Sequence, residues 1–143
     1  MSSVSDCIEL ISPAKVNLML SIHGPRADGF HALTSVVVAL NFGDRLRVRL
    51  SSNGEDELRC SDSSVPTGIE NLVLQAAVLF REAIEQDVYF TFDLEKLIPM
   101  GAGLGGGSSN ASTALLAMNS LMNEQLSKET LLKLAAQLGS DCP

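Results

Sequence analysis

One stretch of the sequence decides how the rest is interpreted: Pro99-Met100-Gly101-Ala102-Gly103-Leu104-Gly105-Gly106-Gly107-Ser108-Ser109-Asn110-Ala111. Five glycines fall within seven residues, and two serines and an apolar helical pattern follow them. Glycine has no Cβ and tolerates positive φ, so such a loop can wrap its backbone N–H groups around an anion. The helix behind it adds unpaired N–H groups and the positive end of its dipole. The stretch therefore predicts a phosphate-binding loop rather than a flexible linker.

Length and composition set the class of protein. The chain has 143 residues, of which 45% are hydrophobic and 19% charged, as expected for one globular domain with a real core. Its net charge of −7 argues against nucleic acid or an anionic membrane as a partner. A phosphorylated ligand would then need locally placed cations or a metal ion.

Cysteine usage and the first residues bear on the compartment. The three cysteines are far apart and form no C-x-x-C pair, so they predict neither a disulfide framework nor a zinc site. The first residues lack the basic and apolar regions of a signal peptide, and no apolar run approaches the ~18 residues of a membrane span. We therefore expect a cytoplasmic protein.

Several segments of the first fifty residues predict β-strands, two of them, 14–23 and 45–50, by alternation between apolar and polar positions. We expect four of them, over residues 7–12, 14–23, 35–40 and 45–50. The core face of the second would hold Val16, Leu18, Leu20 and Ile22, and the third should be buried. Lys15 and Asn17 would share the opposite face of the second strand. A turn is expected at 24–29 and a tight connection at Gly43-Asp44.

The second half of the sequence is mainly helical. Apolar residues recur at spacings of three and four in three segments, which predicts three helices. The segments are residues 71–85, the residues that start at the serines after the glycines, and residues 127–138. Ser127 is the expected N-cap of the last helix, and Gly139 would end it. A possible short strand lies around Leu58, and an alternating strand over 88–94 leads to the loop. The pattern predicts an α+β layered domain.

The loop's own pattern leaves two ligand classes open, NAD-type and ATP-type. Gly101-x-Gly103-x-x-Gly106 matches the dinucleotide fingerprint, which requires a strand carrying an acidic residue ~20 positions farther on. Here that region leads into another helix, and Glu124 lies in a short connector, so the context disfavours a dinucleotide. No Gly-Lys-Ser/Thr follows the glycines, which excludes a Walker A loop.

Residues 99–105 and 108–111 resemble the phosphate loop of the GHMP kinase superfamily, Pro-x-Gly-x-Gly-Leu-Gly-Ser-Ser-x-Ala. Three further segments agree with the same superfamily, in order and at sensible spacing: 12–18, 26–31 and 139–143. Phe30 stands where tyrosine is commoner. Four co-linear motifs are far more specific than a glycine loop alone.

The resemblance implies a GHMP kinase N-terminal domain over residues 1–143, with the fold of the second domain of ribosomal protein S5, a mixed sheet covered by helices. It implies ATP-dependent phosphorylation of the 2-hydroxyl of 4-diphosphocytidyl-2-C-methyl-D-erythritol in the non-mevalonate isoprenoid pathway, with Mg²⁺. Alternatives are another GHMP small-molecule kinase or a catalytically incomplete nucleotide-binding fragment. We also expect a second domain beyond Pro143, so complete activity is not expected of these residues alone.

The resemblance further implies roles for individual residues. The loop residues that would hold the ATP phosphates are Pro99, Met100, Gly101, Ala102, Gly103, Leu104, Gly105, Gly106, Gly107, Ser108 and Ser109. Asn71 would lie near the adenine pocket. Asp141 would be the general base, and Lys15 would polarise the hydroxyl and keep Asp141 ionised, since an adjacent cation lowers the pKa of a carboxylate.

Three residues would recognise the acceptor. Asn17 would contact the hydroxyl, Phe30 would stack on the cytosine ring, and His31 would hydrogen-bond its edge. Lys96, just before the loop, is a weaker candidate for binding, because a solvated surface lysine fits the same position. No metal ligand of the protein is predicted.

Overall fold

The computed structural model describes residues 6–29, 31–139 and 141–143. In chain order the helices and strands are β1 (Cys7–Pro25), β2 (His31–Leu50), β3 (Glu57–Cys60), α1 (Leu72–Ile84), β4 (Phe90–Glu95), α2 (Gly106–Leu121) and α3 (Lys128–Leu138). The strands form one sheet of order β1-β2-β4-β3. None of the three helices described is long and apolar enough to cross a membrane.

The sheet is mixed, because β1–β2 and β2–β4 are antiparallel while β3 and β4 are parallel. Its inner face packs against the helices, and the core side chains of β2 and β4 are Leu46, Val48, Phe90, Phe92 and Leu94. From α1 and α2 the core receives, among others, Val73, Phe80, Ala114 and Met118. The predicted α+β fold, a mixed sheet covered by helices, is confirmed.

The first two strands are much longer than the sequence predicts. The segments expected at 7–12 and 14–23 form one strand of 19 residues, and those at 35–40 and 45–50 belong to one of 20. Pro13 is accommodated because β1 is an edge strand with a register shift between Pro13 and Lys15. The tight connection expected at Gly43-Asp44 is wrong, since Gly43 pairs with Pro13 inside the ladder. A Cβ at Gly43 would collide with the backbone of Ser12 and Pro13.

The far part of this hairpin departs from the expected burial. Leu18 and Ile22, predicted on the core face, are each 67% exposed. Val36, Val37 and Val38, predicted in a buried strand, are 39–51% exposed. The reason lies in the sheet, because β4 pairs with β2 only over Arg45–Leu50. The sequence identified strand-forming segments, although it divided two long strands into four, and alternation could not show what covers them.

The helices follow the sequence closely. Asn71 caps α1 by accepting a hydrogen bond from the N–H of Val73, and Ser127 caps α3 by accepting one from Thr130. The short strand around Leu58 is present as β3. Helix α2 begins at Gly106, two residues before the serines, so the last two glycines of the loop belong to its first turn.

Candidate active site

The glycine loop connects β4 to α2 and has a backbone that demands glycine. Gly101, Gly103 and Gly105 have φ values of +70°, +73° and +68°, in the left-handed region. Gly105 is the N-cap residue of α2 and has no side chain to satisfy the first N–H groups of that helix. The loop therefore presents backbone donors where a helix dipole also favours negative charge.

A cavity of about 360 Å³ lies against this loop. Its wall includes all of residues 99–107, together with Asn71, Leu72, Lys96 and Asn110 from the surrounding elements. Asn71 therefore lies beside the cavity, and its predicted place near adenine stays a prediction. Its side-chain amide is already used in the cap, however, since Oδ1 accepts from Val73 and Nδ2 donates to the carbonyl of Pro66.

Neither serine of the motif lines this cavity. Ser109 lines a neighbouring pocket of about 170 Å³, and its hydroxyl accepts a hydrogen bond from Ser12 at 3.0 Å. The hydroxyl of Ser108 hydrogen-bonds the thiol of Cys142, whose pKa is nevertheless raised, mainly by burial. Both hydroxyls thus join α2 to other parts of the fold.

The neighbouring pocket contains the two predicted catalytic residues. Lys15 Nζ lies 3.3 Å from Asp141 Oδ1, and the two side chains are 21% and 64% exposed. Gly105 lines this pocket as well as the cavity, so the two spaces adjoin. The fold thus brings Lys15, on β1, and Asp141, in the segment that follows α3, to the edge of the glycine loop.

Lys15 is positioned by the loop itself. Its backbone N–H donates to the carbonyl of Leu104 at 2.9 Å. Its aliphatic stem lies over Gly105, where an added Cβ would be 2.5 Å from Lys15 Cε and 2.9 Å from Cγ. Glycine at position 105 therefore serves two purposes, a left-handed backbone and close approach of the lysine.

The predicted acceptor-binding residues are only partly described. Asn17 is exposed on β1, two residues beyond Lys15, and its Oδ1 accepts a hydrogen bond from Ser35 at 3.1 Å. Phe30 lies outside the described residues. His31 begins β2 opposite Pro25, and its side chain is not among those described. The roles assigned to these three residues stay predictions.

A buried polar cluster under the loop was not anticipated from the sequence. Asp44 is fully buried and bonds Lys96 Nζ at 2.6 Å, and the Lys96 side chain is only 6% exposed. Lys96 is therefore not the solvated lysine considered above. Burial alone would raise the pKa of Asp44, but hydrogen bonds from Ile98, Lys96, Asn110 and Leu97 outweigh it and leave the pKa below its ordinary value. The sequence signal for this cluster was an aspartate directly before an alternating strand. A turn at Gly43-Asp44 explained the same residues equally well.

Chemically, the site joins an anion-binding loop to a cation and a carboxylate. Among residues 6–29, 31–139 and 141–143, no group of three or more His, Cys, Asp or Glu side chains could hold a metal ion. The hydroxyl of Ser109 is an oxygen donor at the edge of the loop, of the kind that Mg²⁺ binds when substrate phosphates and water supply most of its ligands.

Comparison with known proteins identifies the family of this chain. The family model for the GHMP kinases N terminal domain matches residues 71–143. The 4-diphosphocytidyl-2-C-methyl-D-erythritol kinase of Protochlamydia amoebophila is 44% identical over 136 residues, which are 95% of this chain and 46% of that enzyme. The chloroplastic enzyme of the same name from Oryza sativa subsp. japonica is 41% identical over 137 residues, 95% of this chain and 34% of the relative.

Solved structures give the same result. A crystal structure of 4-(cytidine 5'-diphospho)-2C-methyl-D-erythritol kinase superposes with a TM-score of 0.77 at 40% identity, covering 95% of this chain and 47% of the other. Homoserine kinase from Cytophaga hutchinsonii superposes with a TM-score of 0.74 at 22% identity, over 96% and 42% of the two chains, and shows the shared fold alone.

The chain spans less than half the length of these relatives. The fold, the glycine loop and the match of residues 71–143 to the N-terminal domain model agree with one another. This chain belongs to the GHMP kinases.

Proposed function

We propose that this chain supplies the ATP-binding and catalytic residues of a kinase that phosphorylates the 2-hydroxyl of 4-diphosphocytidyl-2-C-methyl-D-erythritol. The observation that carries the proposal is the Lys15–Asp141 pair, 3.3 Å apart at the edge of the glycine loop. The relatives at 41–44% identity carry the name of this kinase and support the substrate. Because the chain spans less than half of their length, we propose it as the N-terminal domain of a larger enzyme.

ATP is the proposed phosphoryl donor. Its triphosphate would lie in the cavity formed by residues 99–107, held by backbone N–H groups and the N-terminus of α2. Asn71 and Leu72, on the wall formed by the start of α1, would face the adenosine. Mg²⁺, when bound, would neutralise the phosphate charge, and the Ser109 hydroxyl at the edge of the loop is an oxygen donor that would help to hold it.

Asp141 is the proposed general base. As the acceptor oxygen attacks the γ-phosphorus and the bond to the β-phosphate oxygen breaks, the hydroxyl proton would pass to the Asp141 carboxylate. The carboxylate is 64% exposed, so an acceptor can reach it. The ammonium of Lys15, whose aliphatic stem lies against Gly105, would stabilise the negative charge on the transferring group and on the attacking oxygen.

Recognition of the acceptor is proposed for Asn17, Phe30 and His31. Asn17 follows Lys15 on the exposed hairpin and would bind the methylerythritol hydroxyls. Phe30 and His31 belong to the segment that resembles the family's substrate loop, and an aromatic ring beside an imidazole suits a cytosine base.

The cytoplasm is the proposed compartment. Cys60 and Cys142 carry free thiols, which suits a reducing environment. ATP and the acceptor are the proposed partners.

A panel of acceptors tests the proposal. The complete protein would be supplied with ATP, Mg²⁺ and, in parallel, 4-diphosphocytidyl-2-C-methyl-D-erythritol, mevalonate, homoserine or galactose, with product identified by ³¹P NMR. We expect turnover with the first compound only. Similar efficiency with the others would overturn the substrate assignment in favour of a different GHMP kinase, and ATP binding without any transfer would indicate a nucleotide-binding protein that lacks catalysis.

A further inference from the structure

Asp44 lies under the glycine loop and divides its hydrogen bonds between two segments. Its Oδ1 accepts from the backbone N–H groups of Leu97 and Ile98, at 2.6 and 2.7 Å. Its Oδ2 accepts from Lys96 Nζ at 2.6 Å and from Asn110 Nδ2 at 2.9 Å. The carboxylate is 0% exposed and lines neither the loop cavity nor the Lys15–Asp141 pocket.

The donors to Asp44 flank the loop on both sides. Residues 96–98 come directly before it, and Asn110 lies in α2 just after it. One buried carboxylate therefore joins the two ends of the segment whose residues 99–107 line the cavity. A loop with three left-handed glycines has high conformational entropy, so fixing both of its ends is an effective way to order its N–H groups before a ligand arrives.

The same cluster reaches the strand that carries Lys15. Asn110 Nδ2 also donates to Ser12 Oγ at 2.8 Å, and Ser12 Oγ donates to Ser109 Oγ at 3.0 Å. Ser12 is fully buried on β1, three residues before Lys15. The contacts of Asp44 thus hold the loop, the start of α2 and this part of β1 in one arrangement.

We propose that Asp44 is a positioning residue for the phosphate donor, holding the glycine loop in its binding conformation through both ends at once. The inference rests on the proposed function, because the donor is taken to be ATP. Stability alone does not account for the arrangement, since a buried ion pair usually contributes little more than a well-packed apolar pair would.

Asp56 provides a matched control. It too is a mostly buried carboxylate that accepts from one backbone N–H, that of Phe90 at 2.9 Å, and pairs with one cation, Arg81 at 2.9 Å. Its partners lie at the start of β4 and in α1, whereas those of Asp44 lie beyond the end of β4. Asp56→Asn therefore removes a similar charge at the other end of the strand from the loop.

The experiment compares Asp44→Asn with Asp56→Asn in the complete protein. Asparagine at position 44 can still accept from Leu97 and Ile98, but its amide nitrogen would face the donors of Lys96 and Asn110. For Asp44→Asn we expect the Kd and the KM for ATP to rise about tenfold or more, with the acceptor KM unchanged within about twofold. Asp56→Asn should leave the ATP affinity unchanged.

Asn110→Ala is a milder variant that keeps the Asp44–Lys96 pair and removes one anchor. Asn110 lines the loop cavity, but both of its polar atoms already make hydrogen bonds within the cluster. We expect a smaller rise in the ATP Kd, again without a change in the acceptor KM.

Three results would contradict the inference or its basis. Unchanged ATP affinity in both Asp44→Asn and Asn110→Ala would overturn the positioning role while leaving the proposed function intact. Equal losses of ATP affinity in Asp44→Asn and Asp56→Asn, in proportion to lost stability, would reduce Asp44 to a purely structural residue. A native protein that binds no ATP would overturn the proposed function and this inference with it.

Discussion

Two Lys–Asp pairs lie on either side of the glycine loop, and they differ in almost everything except residue type. Lys15 and Asp141 are 3.3 Å apart, and the carboxylate is 64% exposed. Lys96 and Asp44 are 2.6 Å apart, and their side chains are 6% and 0% exposed. The comparison shows that surroundings, not residue type, separate a carboxylate that can take part in a reaction from one that is enclosed and holds structure.

The difference follows from hydrogen-bonding capacity. Asp44 already accepts four hydrogen bonds, and its carboxylate has no open route to a ligand. Asp141 faces a pocket and keeps most of its surface accessible, so it can accept a proton from an incoming hydroxyl. Removing the carboxylate charge of Asp141 should therefore lower kcat, whereas removing that of Asp44 should lower ATP affinity and stability.

The largest effect is expected from Asp141→Asn. An amide cannot accept the hydroxyl proton, so kcat should fall about a thousandfold, while ATP affinity and stability change little. Steady-state kinetics and calorimetric ATP binding measure the two quantities. Asp93→Asn is the control, since Asp93 forms an ion pair of the same 3.3 Å length with Arg49 on the open face of the sheet. A kcat within about threefold of the native value would remove Asp141 as the base.

The next largest effect concerns stability, and it is expected from Asp44→Asn. This change leaves the Lys96 ammonium buried without its counter-charge, which costs ~3 kcal/mol in free energy of unfolding. Urea denaturation followed by circular dichroism measures the difference. Asp141→Asn, at an exposed pair, serves as the comparison and should change stability much less. Equal stability of the native protein and Asp44→Asn would contradict the account.

The same variant has a defined pH dependence. The pKa of Asp44 lies below its ordinary value of 3.8, so its charge stabilises the fold above that value and the contribution is lost as pH falls toward the folded-state pKa. The stability difference between the native protein and Asp44→Asn should be constant above about pH 5 and shrink below about pH 4. A difference that grows on acidification would have the wrong sign.

A smaller effect is expected from Gly105→Ala. Alanine at φ +68° is strained, and its Cβ would displace the stem of Lys15, so kcat should fall about tenfold through misplacement of the ammonium. Gly101→Ala has the same backbone strain at φ +70° but no atom within 4 Å of the new Cβ. The two variants should therefore differ in kcat. If they lose activity equally, the contact with Lys15 is irrelevant.

The smallest effect is expected at the open face of the sheet. Arg47 and Glu9 form an ion pair of 2.7 Å with both side chains about half exposed. Such pairs contribute little and are screened by salt. Glu9→Gln should leave the unfolding midpoint, kcat and ATP affinity unchanged in moderate salt. A clear loss of stability would show that exposure is a poor guide to the value of a pair in this protein.

The features that the sequence predicted correctly are mostly determined by residues close to one another in the chain. The cap predicted at Ser127 uses a side chain three residues before the N–H group that it binds. The left-handed glycines of the loop are likewise a local property of the backbone. Lys15 and Asp141 were assigned through the family motifs, because no local pattern places residues so distant in the chain at one pocket.

The features that the sequence did not predict are determined by contacts between segments distant in the chain. Leu18 and Ile22 alternate in the same way as Leu46 and Val48, yet the first two are exposed and the last two fully buried. Alternation defines a strand face but not whether another element packs on it. The Asp44–Lys96 pair joins β2 to the segment after β4. Nothing in the sequence around either residue indicates that the two form an ion pair.

The most direct test of the central claim measures kcat and ATP Kd for Asp141→Asn and Asp44→Asn side by side in the complete protein. We expect the two variants to lose different quantities. Asp141→Asn should lose kcat with its ATP Kd unchanged, and Asp44→Asn should lose ATP affinity with a much smaller change in kcat. If both variants lose the same quantity by similar factors, Asp141 and Asp44 do not have separate roles in catalysis and in positioning of the loop, and the proposed difference between the two pairs is wrong.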